Sequence, residues 1–401
     1  IPAGLRGGLD MIRRRDLIKG TVALGLTSLM PSIAARPFSK DMPVLVVVEL
    51  SGGNDGLNTV VPFADDAYYR HRPTIGIPES QVLKLDDQFG LNPGMSGFQK
   101  LWQNNQLAII HGCGYERPSY SHFTSMAYWH TGAPNGGDEF GWMGRTADVM
   151  RSQKAEDILI NVGSTQSLAV KSAIHTPLVF DDPMRFQRNY WMNQVDFSSS
   201  VEPRYKDSNH EFLKAVDVSA KSSAGRIRQA WSDYETNVDY GIVPMDLPKV
   251  ASCIDAGLET QLYHVSFRNN AFDTHVQQPN LHRRLLSYAS DAIFGFVNDL
   301  KRLGHADRVV VMVYSEFGRR VPENANLGTD HGSANNMFFI GNRVNGGHYG
   351  DLPSLVNLID SGNLAYTTDF RQVYATAIED WLNVDSTKVL KETFERLPVF
   401  T

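Results

Sequence analysis

Cysteine is nearly absent from this 401-residue chain, which has only Cys113 and Cys253. Neither stands in a C-x-x-C or zinc-ribbon spacing, which argues against a thiolate metal site, and no histidine-paired signature surrounds either one. A single disulfide is the most the pair can form, and the sequence does not show whether the sulfurs meet. Beyond the N-terminal region there is no basic run, and the formal charge is −6, so nucleic acid or other polyanion binding has little support. The chain also lacks a solenoid or propeller repeat, a low-complexity tract and any linker rich in Pro, Gly or Ser. It has no G-x-S-x-G elbow, which disfavours a Ser-His-Asp esterase.

Long apolar runs are missing too. The longest, "TVALGLTSLMPSIAARPF" (Thr21–Phe38), offers about 16 apolar or small residues around Pro31, too few to span a bilayer comfortably. Arg14-Arg15-Asp16-Leu17-Ile18-Lys19 precedes it, and Ser32 and Ala34 suit the small-residue positions of a cleavage site. This is the pattern of a twin-arginine export signal. Residues 1–10 precede a start at Met11 and read as upstream translation. The expected partner is therefore the twin-arginine export machinery, and the expected location of the mature, acidic protein is periplasmic or extracellular.

Strand-length apolar runs recur at Val44–Leu50, Leu107–Ile110, Ile158–Val162, Val309–Tyr314 and Met337–Ile340. Continuous rather than alternating hydrophobicity suits parallel strands buried on both faces. Between the runs lie helical patterns. Leu281, Leu285, Tyr288, Ala292, Phe296 and Leu300 share one face, with Gly304 as a stop, and Ser208–Tyr234 forms another candidate. The expected fold is a doubly wound α/β sheet, mostly parallel, with helices on both faces. Residues 36–401 form one domain in this reading, with a helical insertion around 180–250.

In such sheets ligands bind beyond the carboxyl ends of the strands. Asp55 follows the first run, and Ser119, Ser121 and His122 follow the second. Asp273 and His275 precede the long helix. Glu316 follows "VVVMVYS", and Asp330 and His331 stand in a glycine-bearing loop shortly after. Carboxylates and imidazoles bind divalent metals, and a metal beside a serine hydroxyl activates it while holding a phosphoryl or sulfuryl oxygen.

The segments "GGNDGLNTVVP", "SHFTSMAYWHTG", "FDTH", "SEFGRR" and "TDHG" come in an order that resembles the exported "domain of unknown function 1501" family. That family is grouped with the alkaline-phosphatase and sulfatase superfamily. The resemblance implies an alkaline-phosphatase-like fold with one or two divalent ions, zinc, manganese, magnesium or calcium. It makes Ser121 the nucleophile, with Ser119 as rival, and Asp55, Asp273, His275, Glu316 and His331 the metal ligands. Asp330 is then a further ligand or orients its neighbour. Arg319 and Arg320 are placed to clamp a small anionic ester.

Two departures from the superfamily pattern stand out. The middle pair is Asp273-Thr274-His275 rather than D-x-x-x-H, and Glu316-Phe317 replaces a strand-end Asp-His pair, so one imidazole is missing. His122, His111 and His348 are the residues available to compensate. The implied activity is metal-dependent hydrolysis of a phosphate or sulfate ester. The rival is a cell-envelope binding or assembly protein that keeps the fold without the chemistry, a reading favoured by the aromatic "RNYWMNQVDF" stretch. Replacing Arg14 and Arg15 with lysine should strand the precursor in the cytoplasm, as judged by fractionation and immunoblotting; unchanged export would refute the twin-arginine assignment.

Overall fold

A computed structural model of the chain describes residues 42–151, 157–186, 222–267, 269–360 and 362–401. The export segment, the aromatic stretch Arg188–Phe197 and much of the expected insertion lie outside these residues. Residues Ser39–Thr401 make one compact unit.

The valine-rich run Val44–Leu50 is β1, buried along its whole length at the centre of a nine-stranded sheet. The other strands are β5 (Leu107–Gly114), β6 (Leu159–Val162), β7 (Leu178–Phe180), β8 (Leu262–Phe267), β9 (Val309–Tyr314), β10 (Asn335–Ile340), β11 (Gly347–Tyr349) and β12 (Thr368–Asp369). Their order is β11-β5-β10-β9-β1-β8-β6-β7, with β12 also paired to β5. β10 is antiparallel to β5 and β9, and every other pairing is parallel. A small antiparallel sheet of β2 (Val60–Val61), β3 (Leu83–Lys84) and β4 (Gly90–Leu91) lies off this path, and the short helix α1 (Asp66–His71) falls between β2 and β3 in the chain.

Strand alternation sorts the core onto two faces. Val44, Val46, Val48 and Leu50 join the layer of α2 (Ser96–Gln103), the helical residues 222–233 (α5), α6 (Leu247–Asp255) and α7 (Gln278–Leu303). Leu45 and Val47 face α3 (His122–Thr131), α4 (Trp142–Met150), α8 (Phe370–Thr376) and α9 (Ser386–Leu390). The long helix follows its apolar stripe and stops where expected, at Gly304 in the left-handed conformation (φ 79°). Helices on both faces of a mostly parallel sheet give the doubly wound α/β architecture. Among the described residues no helix is long and apolar enough to cross a membrane.

Two features differ from expectation. β8 escaped detection because Tyr263-His264 and Ser266 interrupt its apolar character, although its centre is buried. The run at 337–340 is antiparallel because the chain crosses the carboxyl end of the sheet after β9 and returns directly. Hydrophobicity reports burial on two faces and is silent on direction.

The two thiols are both free and buried, so the disulfide left open by the sequence is not formed. Burial raises both, Cys253 to about 12. A thiol titration of native protein near pH ~8 should therefore find neither, and a denaturant should release both; fast reaction of the native form would overturn this packing.

Candidate metal centre

The end of β1 shows why glycine is required there. Gly52 has φ 120°, and a Cβ on it would lie 2.6 Å from the Asp273 amide nitrogen. Gly53 has φ 68°, and a Cβ there would strike the Phe317 ring at 2.1 Å. These residues let the loops after β8 and β9 close against the β1 turn.

Asp55 occupies a different place. It is fully buried, with Oδ2 2.7 Å from Arg72 Nη1 and 2.5 Å from Gln278 Nε2. Burial pushes its carboxyl up, but the Arg72 charge and hydrogen bond outweigh this and hold it below the usual range. Gln278 in turn accepts from Thr274 and Thr329 hydroxyls, beside Asp273 and Asp330. Asp55 thus braces the site from beneath, its charge spent on Arg72.

Above that brace, His122, Asp273 and His331 each offer one ligand atom, and these atoms lie within 4.8 Å of one another. His275 Nε2 adds a fourth donor, 2.9 Å from His331 Nε2 and 3.0 Å from Asp273 Oδ1. Every imidazole has its other nitrogen beside an oxygen. His122 Nδ1 donates to Glu316 Oε1 at 2.7 Å, and His331 Nδ1 donates to the Tyr120 carbonyl at 2.7 Å. His275 Nδ1 stands 3.4 Å from Asp330 Oδ1. With the Nδ1 atoms so engaged, the Nε2 lone pairs converge. Those of His275 and His331 repel at this distance unless a cation or shared proton lies between them. His122 Nε2 is buried and makes no hydrogen bond. It stands 3.5 Å from Asp273 Oδ2. These inward-facing nitrogens fit a divalent cation, and carboxylate-to-histidine contacts behind ligands are the usual way imidazoles are oriented toward metals.

Glu316, expected as a ligand, serves instead as the support of His122. Its oxygens accept from the Gly52 amide at 2.9 and 3.1 Å, from His122, and from the Ser315 hydroxyl at 3.0 Å. That hydrogen bond pushes His122 up despite burial, whereas burial and the nearby Arg319 charge push His331 down. Asp273 would be raised by burial, but Arg319, with His275 and His331, holds it low.

Arg319 is no open clamp for substrate. Buried at 2 % exposure, it donates to the Gly52 and Gly53 carbonyls at 2.5 and 2.6 Å, to the Thr329 carbonyl at 2.9 Å and to Asp273 Oδ1 at 2.6 Å. Arg320 remains half-buried, with a buried Nε that makes no hydrogen bond. Phe317 sets its ring 4.8 Å from those of both His122 and His331. His111 and His348 pair with each other at 2.7 Å against Phe89, and His348 lies 3.0 Å from Asp86.

Ser121 is the exposed N-cap residue of α3, lying between Tyr120, which binds His331, and His122. Its side chain makes no capping bond, and its amide donates to the Ser119 hydroxyl at 3.3 Å. A cavity of about 620 Å³, lined by Leu57, Phe89, His111, Asn336 and Leu355, shares Arg319 with the centre but none of its imidazoles and not Ser121.

Residues 43–394 match the family described as "Protein of unknown function (DUF1501)", and the chain belongs to that family. No curated protein matches the sequence. Among solved structures it is similar to the C-terminal periplasmic domain of EcEptC from Escherichia coli in complex with zinc, at 10% identity and TM-score 0.35, covering 76% of this chain and 74% of that one. It is also similar to the PsFucS1 sulfatase from Pseudoalteromonas sp., at 12% identity and TM-score 0.36, covering 89% and 71%. A third is the phosphonate monoester hydrolase SpPMH from Silicibacter pomeroyi, at 7% identity and TM-score 0.36, covering 86% and 74%.

Removing Arg72 would leave a buried, unpaired carboxylate. Arg72→Met should lower unfolding free energy by ~3–5 kcal/mol in urea titrations. Asp55→Asn should also destabilise yet leave metal occupancy near the wild-type level in elemental analysis. A variant that folds but loses its ion would return Asp55 to the ligand set.

Proposed function

We propose that this protein is an exported, metal-dependent hydrolase of phosphate or sulfate esters, with His122, Asp273, His331 and His275 as its cation-binding set and Ser121 as its nucleophile. The observation that carries this reading is the convergence of three imidazole Nε2 atoms on one carboxylate, with His122 Nε2 buried, 3.5 Å from Asp273 Oδ2 and without a hydrogen bond. Nitrogen and carboxylate donors suit zinc best among common divalent ions. When bound, such an ion supplies Lewis-acid stabilisation of charge developing on the ester oxygens.

The chain's own residues do the rest. Arg319 fixes Asp273, Glu316 fixes His122 and the Tyr120 carbonyl fixes His331, so the donors are preorganised. Ser121 stands at the start of α3, where backbone amides favour an anion. Arg320, half-buried, is the cation assigned to the ester's charge. Export to the periplasm or beyond rests on the Arg14-Arg15 segment.

Phe317 supports a second reading. By filling the place of an imidazole, it leaves donors for a single ion, as in a binding protein that has lost turnover. Zinc-loaded protein should hydrolyse a p-nitrophenyl phosphate or sulfate. Ser121→Ala should lower that rate by ~10³-fold or more with the ion retained, and Asp273→Asn should lower ion occupancy. An ion-bound protein inert toward both esters would favour the binding reading. A protein that takes up no ion at this centre would refute both.

A further inference from the structure

A second polar cluster lies beneath the sheet's surface, on the face shared with α3. Glu49 interrupts the apolar strand β1, and His264 interrupts β8. Parallel register sets Val47 opposite His264, and Glu49 opposite both Ser266 and Tyr314. His130 descends from the last turn of α3 to place Nε2 2.5 Å from Glu49 Oε2. The Tyr314 hydroxyl donates to the same oxygen at 2.9 Å, and the Ser266 hydroxyl donates to Oε1 at 3.0 Å. His264 Nε2 points at Oε2 from 3.6 Å and makes no hydrogen bond, although the residue is only 2% exposed. Glu49 and His130 are buried as well, at 4% and 8%.

One protonated imidazole would neutralise this carboxylate, so a second adds nothing to that pairing. Its cost is a buried nitrogen too far from Glu49 to hydrogen-bond, in a face lined by Leu45, Val47 and Met312. A shared cation resolves the cost. Donors bound to one zinc at ~2.0–2.1 Å sit roughly 3.3 Å from each other, and the separations of 2.5 and 3.6 Å bracket that value. The three ligand atoms lie within 4.8 Å of one another. Two imidazoles and a carboxylate make a zinc-class donor set of three protein ligands, which leaves a fourth position of the ion to water or another oxygen.

We propose that Glu49, His130 and His264 bind a second divalent cation of the zinc class, which pins the C-terminal end of α3 to β1 and β8. This site shares no residue with the centre built on Asp273, so metal counting scores the two separately.

The test is metal counting on the full chain, stripped with a chelator, reloaded with zinc and desalted. The wild type should hold about two ions, Glu49→Gln and His264→Gln about one each, and Asp273→Asn about one. His264→Gln guards against misfolding of the Glu49 variant, because the nitrogen it removes makes no hydrogen bond and keeps only a 3.6 Å contact with Glu49. A readout that leaves the buried cluster intact uses cobalt in Asp273→Asn protein. A tetrahedral cobalt absorption band there supports the site, and its absence overturns it. A wild type with a single ion, lost in Asp273→Asn and retained in His264→Gln, overturns the buried site and leaves the proposed function standing. A single ion with the opposite pattern supports the buried site and refutes the proposed function.

Discussion

The guanidinium of Arg319 is the contact on which the carboxyl end of the sheet depends. In one plane it gathers the Gly52 and Gly53 carbonyls after β1, the Thr329 carbonyl ahead of β10, and the Asp273 carboxylate after β8. Three loops from distant parts of the sequence are thereby held in register by five fixed donors, which a lysine could not supply. Burial, and with it the same cation, lowers the proton affinity of His331, and at Asp273 the cation outweighs the upward push of burial. Beneath it, the Arg72–Asp55 pair repeats the device, joining the β1 turn to the Val321 and Arg320 carbonyls.

Much of the architecture was legible because the sheet is buried on both sides. Val44–Leu50 and Val309–Tyr314 read as strands from their apolar runs alone, and both pair with each other at the centre. Leu285, Ala292, Phe296 and Leu300 read as the inner stripe of α7 and are buried. β8 was hidden by the polar residues that fill its inward face, His264 and Ser266. Those interruptions, with Glu49 in β1, were a signal of buried polar chemistry that a search for apolar runs discards.

The site was legible in outline only. The rule that strand ends carry ligands led to Asp273, His275 and His331, which the structure gathers together. It also led to Asp55 and Glu316, whose partners lie elsewhere in the chain. Arg72 is 17 residues from Asp55, in a segment with no motif, and His122 is 194 residues from Glu316. A carboxylate facing an ion and one facing an arginine or an imidazole look alike in sequence. Only the pairing, set by the fold, separates them.

Helix α3 joins two polar clusters through its ends. His122 opens it under Glu316, and His130 stands in its last turn against Glu49. Eight residues of α-helix rise about 12 Å, so the helix acts as a strut between two clamped feet. A stiff strut converts a change at one foot into tilt at the other. A substitution at Glu49 would then be felt in the aim of His122, across a distance that no side chain bridges, as a change in how well three nitrogens meet at a point.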